Sequence, residues 1–160
     1  NREMGKSVQK WAKELERGRR AMLMGRYDYS IDAKGRLNFP ARFRQEMGET
    51  FVVTRWLDDC LVAFPQSEFE RVAQTFAEKS MVKSRDIQRF LFSAAAEVQP
   101  DSHGRILLPA NLRRHAHLEK DVTIIGSRNH AEIWDTALWD AHEAAFDQAD
   151  IQAAMEELDI

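Results

Sequence analysis

The sequence predicts an α+β, β-rich protein in which two tandem copies of one unit form a pseudo-twofold barrel with surrounding helices. Three observations lead to this prediction: a ten-residue motif occurs twice, aromatic residues follow both copies in step, and short apolar runs alternate with turn residues. Hydrophobic residues make up 44% and charged residues 31% of the 160 residues, which is typical of a globular protein with a buried core.

The repeated motif is DAKGRLNFPA, which begins at Asp32, and DSHGRILLPA, which begins at Asp101, 69 residues later. Asp, Gly, Arg, Pro and Ala recur in it at identical offsets. Three aromatic positions then recur 70 residues apart: Phe64 with Trp134, Phe69 with Trp139, and Phe76 with Phe146. This agreement indicates the duplication of one structural unit.

The expected strands have the same order in both copies. They lie at residues 26–31, 36–39, 51–56 and 60–64 in the first copy, and at 93–100, 105–108, 122–126 and 131–134 in the second. Asp58-Asp59 and Arg128-Asn129 are expected to form the turns between the last two strands of each copy.

The motif itself predicts a turn, a strand and a helix start. Gly35 and Gly104 end the two Asp-x-x-Gly turns, where they supply a backbone angle that other residues rarely adopt. Pro40 and Pro109 are expected at the first position of a short helix, because that position needs no N–H donor. Gly48 is expected to end the first of these helices.

Each copy is expected to close with a helix. Ser67 and Glu70 fit a capping box for the first closing helix, and Asp135 fits the cap of the second. Their apolar sides are expected to hold Phe69, Val72, Ala73 and Phe76, and Leu138, Trp139, His142 and Phe146. A connecting helix at about residues 84–93 would bury Ile87, Phe90 and Leu91, and a last helix would begin near Asp150.

These elements predict five segments along the chain. They are an N-terminal extension (1–21), a first repeat with its closing helix (22–80), a connecting helix (81–95), a second repeat with its closing helix (96–147), and an acidic C-terminal helix or tail (148–160). The extension is expected to be helical and basic, and three interpretations of its origin stay open: a genuine extension, an early start codon, or vector sequence.

Charge is distributed unevenly along the chain. Residues 1–55 contain 13 Lys and Arg against 7 Asp and Glu, a net charge of +6, whereas residues 56–160 contain 10 against 19, a net charge of −9. The two sum to the overall −3. The first part is therefore the one expected to meet a polyanion.

On these residues the sequence resembles the MraZ family, which is related to the AbrB and SpoVT swapped-hairpin proteins. The resemblance covers about residues 22–147 and rests on one Asp-x-x-x-Arg element in each half, Asp32–Arg36 and Asp101–Arg105. It implies a sequence-specific DNA-binding transcriptional regulator, a repressor in our interpretation, at the promoter of its own division and cell-wall gene cluster. It also implies ring-like or other homo-oligomers on repeated DNA boxes, in the cytoplasm at the nucleoid.

The candidate DNA contacts are the basic side chains around the two motifs: Lys34, Arg36, Arg42, Arg44, Arg105 and Arg113. Arginine can fork onto guanine in the major groove, and lysine neutralises phosphate. The remaining motif residues are assigned a structural role: Asp32, Gly35, Pro40, Asp101, Gly104 and Pro109. The first copy is expected to read DNA and the second to support the fold, because His103 and Asn111 replace two of the cations.

The alternatives differ in the chemistry that they need. Asp32 paired with Arg36 could be a folding device alone, and a duplicated barrel with one aspartate per half has the arrangement of an aspartic protease. A third alternative is an assembly or antitoxin-like partner protein. We expect no enzyme activity, small-molecule substrate, cofactor, metal site or membrane span, and we expect Cys60 to be a buried structural thiol.

Overall fold

The structure is a computed structural model that describes residues 4–12 and 22–160. Residues 4–12 are helical and exposed, and we label them α1. The sequence predicts a helix over residues 6–20; its second half lies outside the described residues. Within the described ranges, no helix has the length and apolar character that crossing a bilayer requires.

Both copies contain four strands and two helices in the predicted order. The first copy contains β1 (Arg26–Ser30), β2 (Arg36–Asn38), α2 (Ala41–Met47), β3 (Phe51–Arg55), β4 (Leu61–Pro65) and α3 (Gln66–Ala77). The connecting helix is α4 (Met81–Phe92). The second copy contains β5 (Ala96–Val98), β6 (Arg105–Leu107), α5 (Ala110–His115), β7 (Asp121–Gly126), β8 (Ala131–Asp135) and α6 (Thr136–Ala144), and α7 (Gln148–Glu157) follows.

The two copies exchange their first strands. β1 of the first copy pairs antiparallel with β7 of the second, and β5 of the second copy pairs antiparallel with β3 of the first. The resulting six-stranded sheet has the order β1-β7-β8-β4-β3-β5, and β2 and β6 form a separate two-stranded sheet. Since each copy completes the sheet of the other, one chain is a single folded unit.

Equivalent residues face each other where the copies meet. Val62 of β4 lies opposite Glu132 of β8, and Leu37 of β2 lies opposite Ile106 of β6. Each pair marks a local pseudo-twofold axis, which confirms the predicted duplication. The sheet order is open, with β1 and β5 at the edges, so the closed barrel stays a prediction.

The main core lies between the sheets and the short helices α2 and α5. Its fully buried side chains include Leu37, Phe43, Phe51, Leu61, Ile106, Leu108, Leu112, Ile124 and Ile133. A second cluster contains Cys60, Trp134 and Trp139. Cys60 is buried as predicted, and burial raises the pKa of its thiol, so the sulfur stays protonated.

Three local predictions are wrong. The capping box at Ser67 does not form, because α3 already begins at Gln66 after Pro65 and has no side-chain cap. Ile87 is 47% exposed rather than buried, since α4 turns this position toward solvent. Pro40 and Pro109 each occupy the residue before the first helical position, where their extended ψ angles of 133° and 152° end the preceding segment.

Candidate nucleic-acid interface

The first motif folds into a turn that is held by its own aspartate. The backbone N–H groups of Lys34 and Arg36 donate to Oδ1 of Asp32 at 3.0 and 2.8 Å. Nε of Arg36 donates to Oδ2 of Asp32 at 2.6 Å. Gly35 closes the turn with a φ of 88°. The bonds at Nε leave the two Nη groups of Arg36 unused by Asp32.

The second motif has the same geometry. The backbone N–H groups of His103 and Arg105 donate to Oδ1 of Asp101, both at 2.9 Å, and Nε of Arg105 donates to Oδ2 at 2.9 Å. Gly104 closes this turn with a φ of 77°. Sequence identity between the motifs thus corresponds to equal hydrogen bonding, and both aspartates have the structural contacts that the sequence predicts.

These bonds stabilise the ionised form of both aspartates. The backbone N–H of Arg36 is the largest influence that lowers the pKa of Asp32 below its usual 3.8, and the backbone N–H of Arg105 acts in the same way on Asp101. The two guanidinium groups add to the effect. Both carboxyl groups are therefore charged at neutral pH.

This geometry predicts an acid-sensitive contribution to stability. Because the folded-state pKa of each aspartate lies below the unfolded value, its contribution is present above about pH 3.8 and is lost as the pH falls through the folded pKa. Replacing Asp32 and Asp101 together by asparagine is expected to lower the Tm at neutral pH and to flatten the decline of Tm in acid. Thermal melts between about pH 3 and 7 test this; parallel curves for the two proteins would contradict it.

Arg44 links the first copy to the turn of the second. Its Nε donates to the carbonyl oxygen of Phe39 at 3.1 Å, and its guanidinium lies directly over Gly104. A Cβ atom on Gly104 would be 2.7 Å from Cζ of Arg44. The absence of a side chain at Gly104 therefore makes room for an arginine of the other copy.

Arg113 makes the equivalent link in the opposite direction. Its Nε donates to the carbonyl oxygen of Leu108 at 3.0 Å. A Cβ atom on Gly35 would be 2.8 Å from that same carbonyl oxygen and 2.9 Å from Nε of Arg113. Arg44 and Arg113, which the sequence places among the DNA contacts, are thus half-buried residues that brace the two turns against each other.

The two-stranded sheet of β2 and β6 presents one face to solvent. Leu37 and Ile106 lie opposite each other and are fully buried. Since side chains alternate along a strand, their neighbours point outward. We call these outward residues the ribbon face: Arg36, Asn38, Arg105 and Leu107. The two arginines are half-buried, and the two uncharged residues are exposed.

The register sets these four side chains in two close rows. Arg36 lies opposite Leu107, and Asn38 lies opposite Arg105. The flanking backbone bonds run from Phe39 N to Gly104 O (3.0 Å) and from Leu108 N to Gly35 O (2.9 Å). By alternation, both rows are non-hydrogen-bonded pairs, in which facing side chains are nearest. Each row therefore contains one arginine beside one uncharged side chain.

Two of the other predicted DNA contacts, Lys34 and Arg42, are exposed. Lys34 lies in the first motif turn, and Arg42 lies in the first turn of α2. Arg26, the first residue of β1, is paired with Asp140 of α6 at 2.8 Å and with Asp28 at 3.2 Å. The exposed cations among these predicted contacts thus lie in the first motif turn and in α2.

The sequence analysis did not identify Asn38 and Leu107 as residues of this outward surface. Their signal was present in the alternation of each motif strand, because the buried Leu37 and Ile106 require outward-facing neighbours. What the sequence did not show was that β2 pairs with β6, which places the two motif strands side by side. The ribbon face is therefore built from both copies, and Arg105 shares it with Arg36.

The protease alternative does not fit the two turns. An aspartic-protease pair shares one proton, which requires that one carboxyl group have a raised pKa. Here the pKa of both Asp32 and Asp101 is lowered, and each carboxylate is bonded within its own turn. Among the described residues, no group of three or more His, Cys, Asp or Glu side chains is arranged to hold a metal ion.

The strand exchange and the paired turns define a tandem-duplicated protein of the AbrB/SpoVT-like swapped-hairpin class. The sequence matches the family described as "MraZ protein, putative antitoxin-like" twice, over residues 22–90 and over residues 91–159. The chain belongs to the MraZ family of transcriptional regulators.

Curated relatives from several bacteria carry the name transcriptional regulator MraZ. The protein of Limosilactobacillus fermentum is 45% identical over 133 residues, which cover 79% of this chain and 93% of the relative. The protein of Heliobacterium modesticaldum is 48% identical over 120 residues, or 74% and 84% of the two chains. The protein of Halothermothrix orenii is 41% identical over 145 residues, or 87% of this chain and 100% of the relative.

Proposed function

We propose that this protein is a sequence-specific regulator, in our interpretation a repressor, that binds double-stranded DNA through the ribbon face. Its site is the promoter of the division and cell-wall gene cluster, which it binds as a homo-oligomer, ring-like in our proposal, on repeated DNA boxes. It acts in the cytoplasm, at the nucleoid. The observation that carries the proposal is the pairing of β2 with β6, which brings both motif arginines onto one outward surface.

The shape of this surface suits the major groove. That groove admits a two-stranded β-ribbon, and base edges there present a distinct pattern for each base pair. Arg36 and Arg105 are each held at Nε by an aspartate, so their Nη groups are oriented without being consumed. A guanidinium held in this way loses less conformational freedom when it forks onto guanine. Lys34 and Arg42 are exposed, and we assign them to the neutralisation of phosphates.

Selection of duplexes from a random pool tests the proposal. We expect the purified protein, with no metal, cofactor or partner added, to enrich one short sequence motif. A variant with both Arg36 and Arg105 replaced by alanine should enrich none while keeping its fold by circular dichroism. Failure of the wild-type protein to enrich any duplex would contradict the proposed function. It would also favour the antitoxin-like alternative, in which DNA binding requires a partner protein.

Binding to the selected duplex is expected to weaken steeply with salt. Each phosphate neutralised contributes about −0.9 to the slope of log K against log salt concentration. Replacing Lys34 by alanine should lower affinity for all sequences alike and flatten the slope by about one. Titrations at several salt concentrations measure both quantities. An affinity that hardly changed with salt would count against phosphate contacts at this face.

An array of boxes is expected to bind at least about tenfold more tightly than one box, because linked subunits raise the effective concentration at adjacent sites. In this proposal the ribbon face of one chain offers four side chains to base edges. Titration of duplexes with one, two and three boxes of equal total length checks this, with sedimentation of the free protein as a parallel measurement. Equal affinity for all three duplexes would contradict the oligomeric proposal.

A further inference from the structure

We infer that the two rows of the ribbon face read different bases, because Leu107 packs on the C5 methyl group of a thymine while Asn38 bonds the edge of an adenine. This inference rests on the proposed function and deepens it: it assigns two specificity-determining residues at a motif position where the two copies differ. Each row contains one motif arginine, Arg36 or Arg105, so the arginines alone do not distinguish one half of a site from the other.

Asn38 and Leu107 occupy equivalent positions in the duplicated motif, since 107 minus 38 is the same 69-residue offset that relates the two aspartates. Each lies opposite the arginine of the other copy. Under the pseudo-twofold operation the two arginines exchange places, and so do these two side chains. The ribbon face is therefore symmetric in charge and asymmetric at this single pair of positions.

Leu107 is an apolar residue on the solvent-facing side of β6. Its side chain is 60% exposed, whereas both neighbours, Ile106 and Leu108, are fully buried. It stands directly opposite the cationic Arg36, on a surface that we propose meets a polyanion. The apolar group that the major groove offers to such a side chain is the thymine methyl. Covering it with that methyl removes the apolar surface of both groups from water.

Asn38 has the complementary chemistry. Its side chain is exposed and makes no hydrogen bond to any described part of the chain. A carboxamide both donates and accepts, and this combination matches N6 and N7 of adenine in the major groove. Since Arg105 lies next to it, the row of Asn38 and Arg105 offers donors to two neighbouring bases.

Base analogues test the two contacts separately on a duplex obtained by selection. Each thymine is replaced in turn by deoxyuridine, which lacks only the methyl group. We expect one position at which this change weakens binding about fourfold, the effect of one buried methyl-sized group. Each adenine is likewise replaced by 7-deazaadenine, which lacks N7. We expect about a fivefold loss at a position in the other half of the site.

Two substitutions connect the analogues to the residues. Leu107→Ala should abolish the sensitivity to deoxyuridine and keep the sensitivity to 7-deazaadenine, and Asn38→Ala should do the reverse. Leu57→Ala is the matched control for the first, because Leu57 is 67% exposed in the β3–β4 turn and away from the ribbon face. It should keep both sensitivities. Because Leu107 is exposed, its replacement leaves the core intact, and a thermal melt verifies this.

Leu107→Asn provides an independent test, since it makes the two rows alike. Selection with this variant should return a motif with higher twofold symmetry than the wild-type motif. The inference is overturned if deoxyuridine has no effect at any position, or if the Leu107→Ala protein keeps its sensitivity to deoxyuridine. It is also overturned if Leu107→Ala changes only the oligomeric mass of the protein. In each of these cases the wild-type protein still selects a motif, so the proposed function would survive.

Discussion

Replacing Arg36 by alanine is expected to weaken binding to a selected duplex by about 1–3 kcal/mol, or roughly 5- to 150-fold, and to blur selectivity at one base position. The reason is the geometry of the first turn, in which Asp32 holds Nε at 2.6 Å and leaves the Nη groups to reach a guanine. In the proposed function, Lys34 and Arg42 neutralise phosphates while Arg36 contacts the base.

Arg105→Ala is expected to cost less, because His103 and Asn111 stand where the first copy has cations. The loss should still be measurable, since Arg105 lies on the same ribbon face. Both variants are titrated on one duplex, with Arg85→Ala as the control. Arg85 is an exposed arginine of α4, so its replacement changes the net charge by the same amount as the other two substitutions. Normal binding by a folded Arg36→Ala protein, with binding abolished in Arg105→Ala, would reverse the proposed roles.

Gly35→Ala is expected to destabilise the fold by about 2–4 kcal/mol, which combines the strain of a positive φ with a steric overlap. The φ at Gly35 is 88°, and the new Cβ would lie 2.8 Å from the carbonyl oxygen of Leu108. That oxygen belongs to the backbone and has little freedom to move. Urea unfolding measures the loss, which should appear as a lower midpoint at an unchanged m-value.

Gly104→Ala should behave differently, because the three atoms nearest to its Cβ would all belong to the guanidinium of Arg44, the end of a flexible side chain. Adding Arg44→Ala should therefore recover the steric part of the loss, so that the double variant is more stable than the sum of the single effects predicts. The matched pair Gly35→Ala with Arg113→Ala should recover much less, since the Leu108 carbonyl remains. Equal coupling in the two pairs would refute this account of how the copies are braced.

Much of the fold follows from local sequence. Apolar alternation, turn residues and the two glycines predict all eight strands to within a few residues, because each signal acts over a short stretch of chain. The failed cap at Ser67 and the exposed Ile87 are also local, but there the packing of α3 and α4 decided the outcome. Helix ends and buried faces depend on neighbours that a pattern does not identify.

The sequence by itself determined the duplication, the Asp-x-x-x-Arg turns and the residue types that meet DNA in the proposed function. Only the tertiary structure decided that the copies exchange β1 and β5, and that β2 pairs with β6. Strand pairing between residues 69 positions apart is set by the burial of Leu37 and Ile106 in a shared core, and no local preference encodes it. The same pairing sets Arg44 against Gly104 and Arg113 against Gly35, so that each arginine packs on the turn of the other copy. It also places Asn38 and Leu107 opposite the motif arginines.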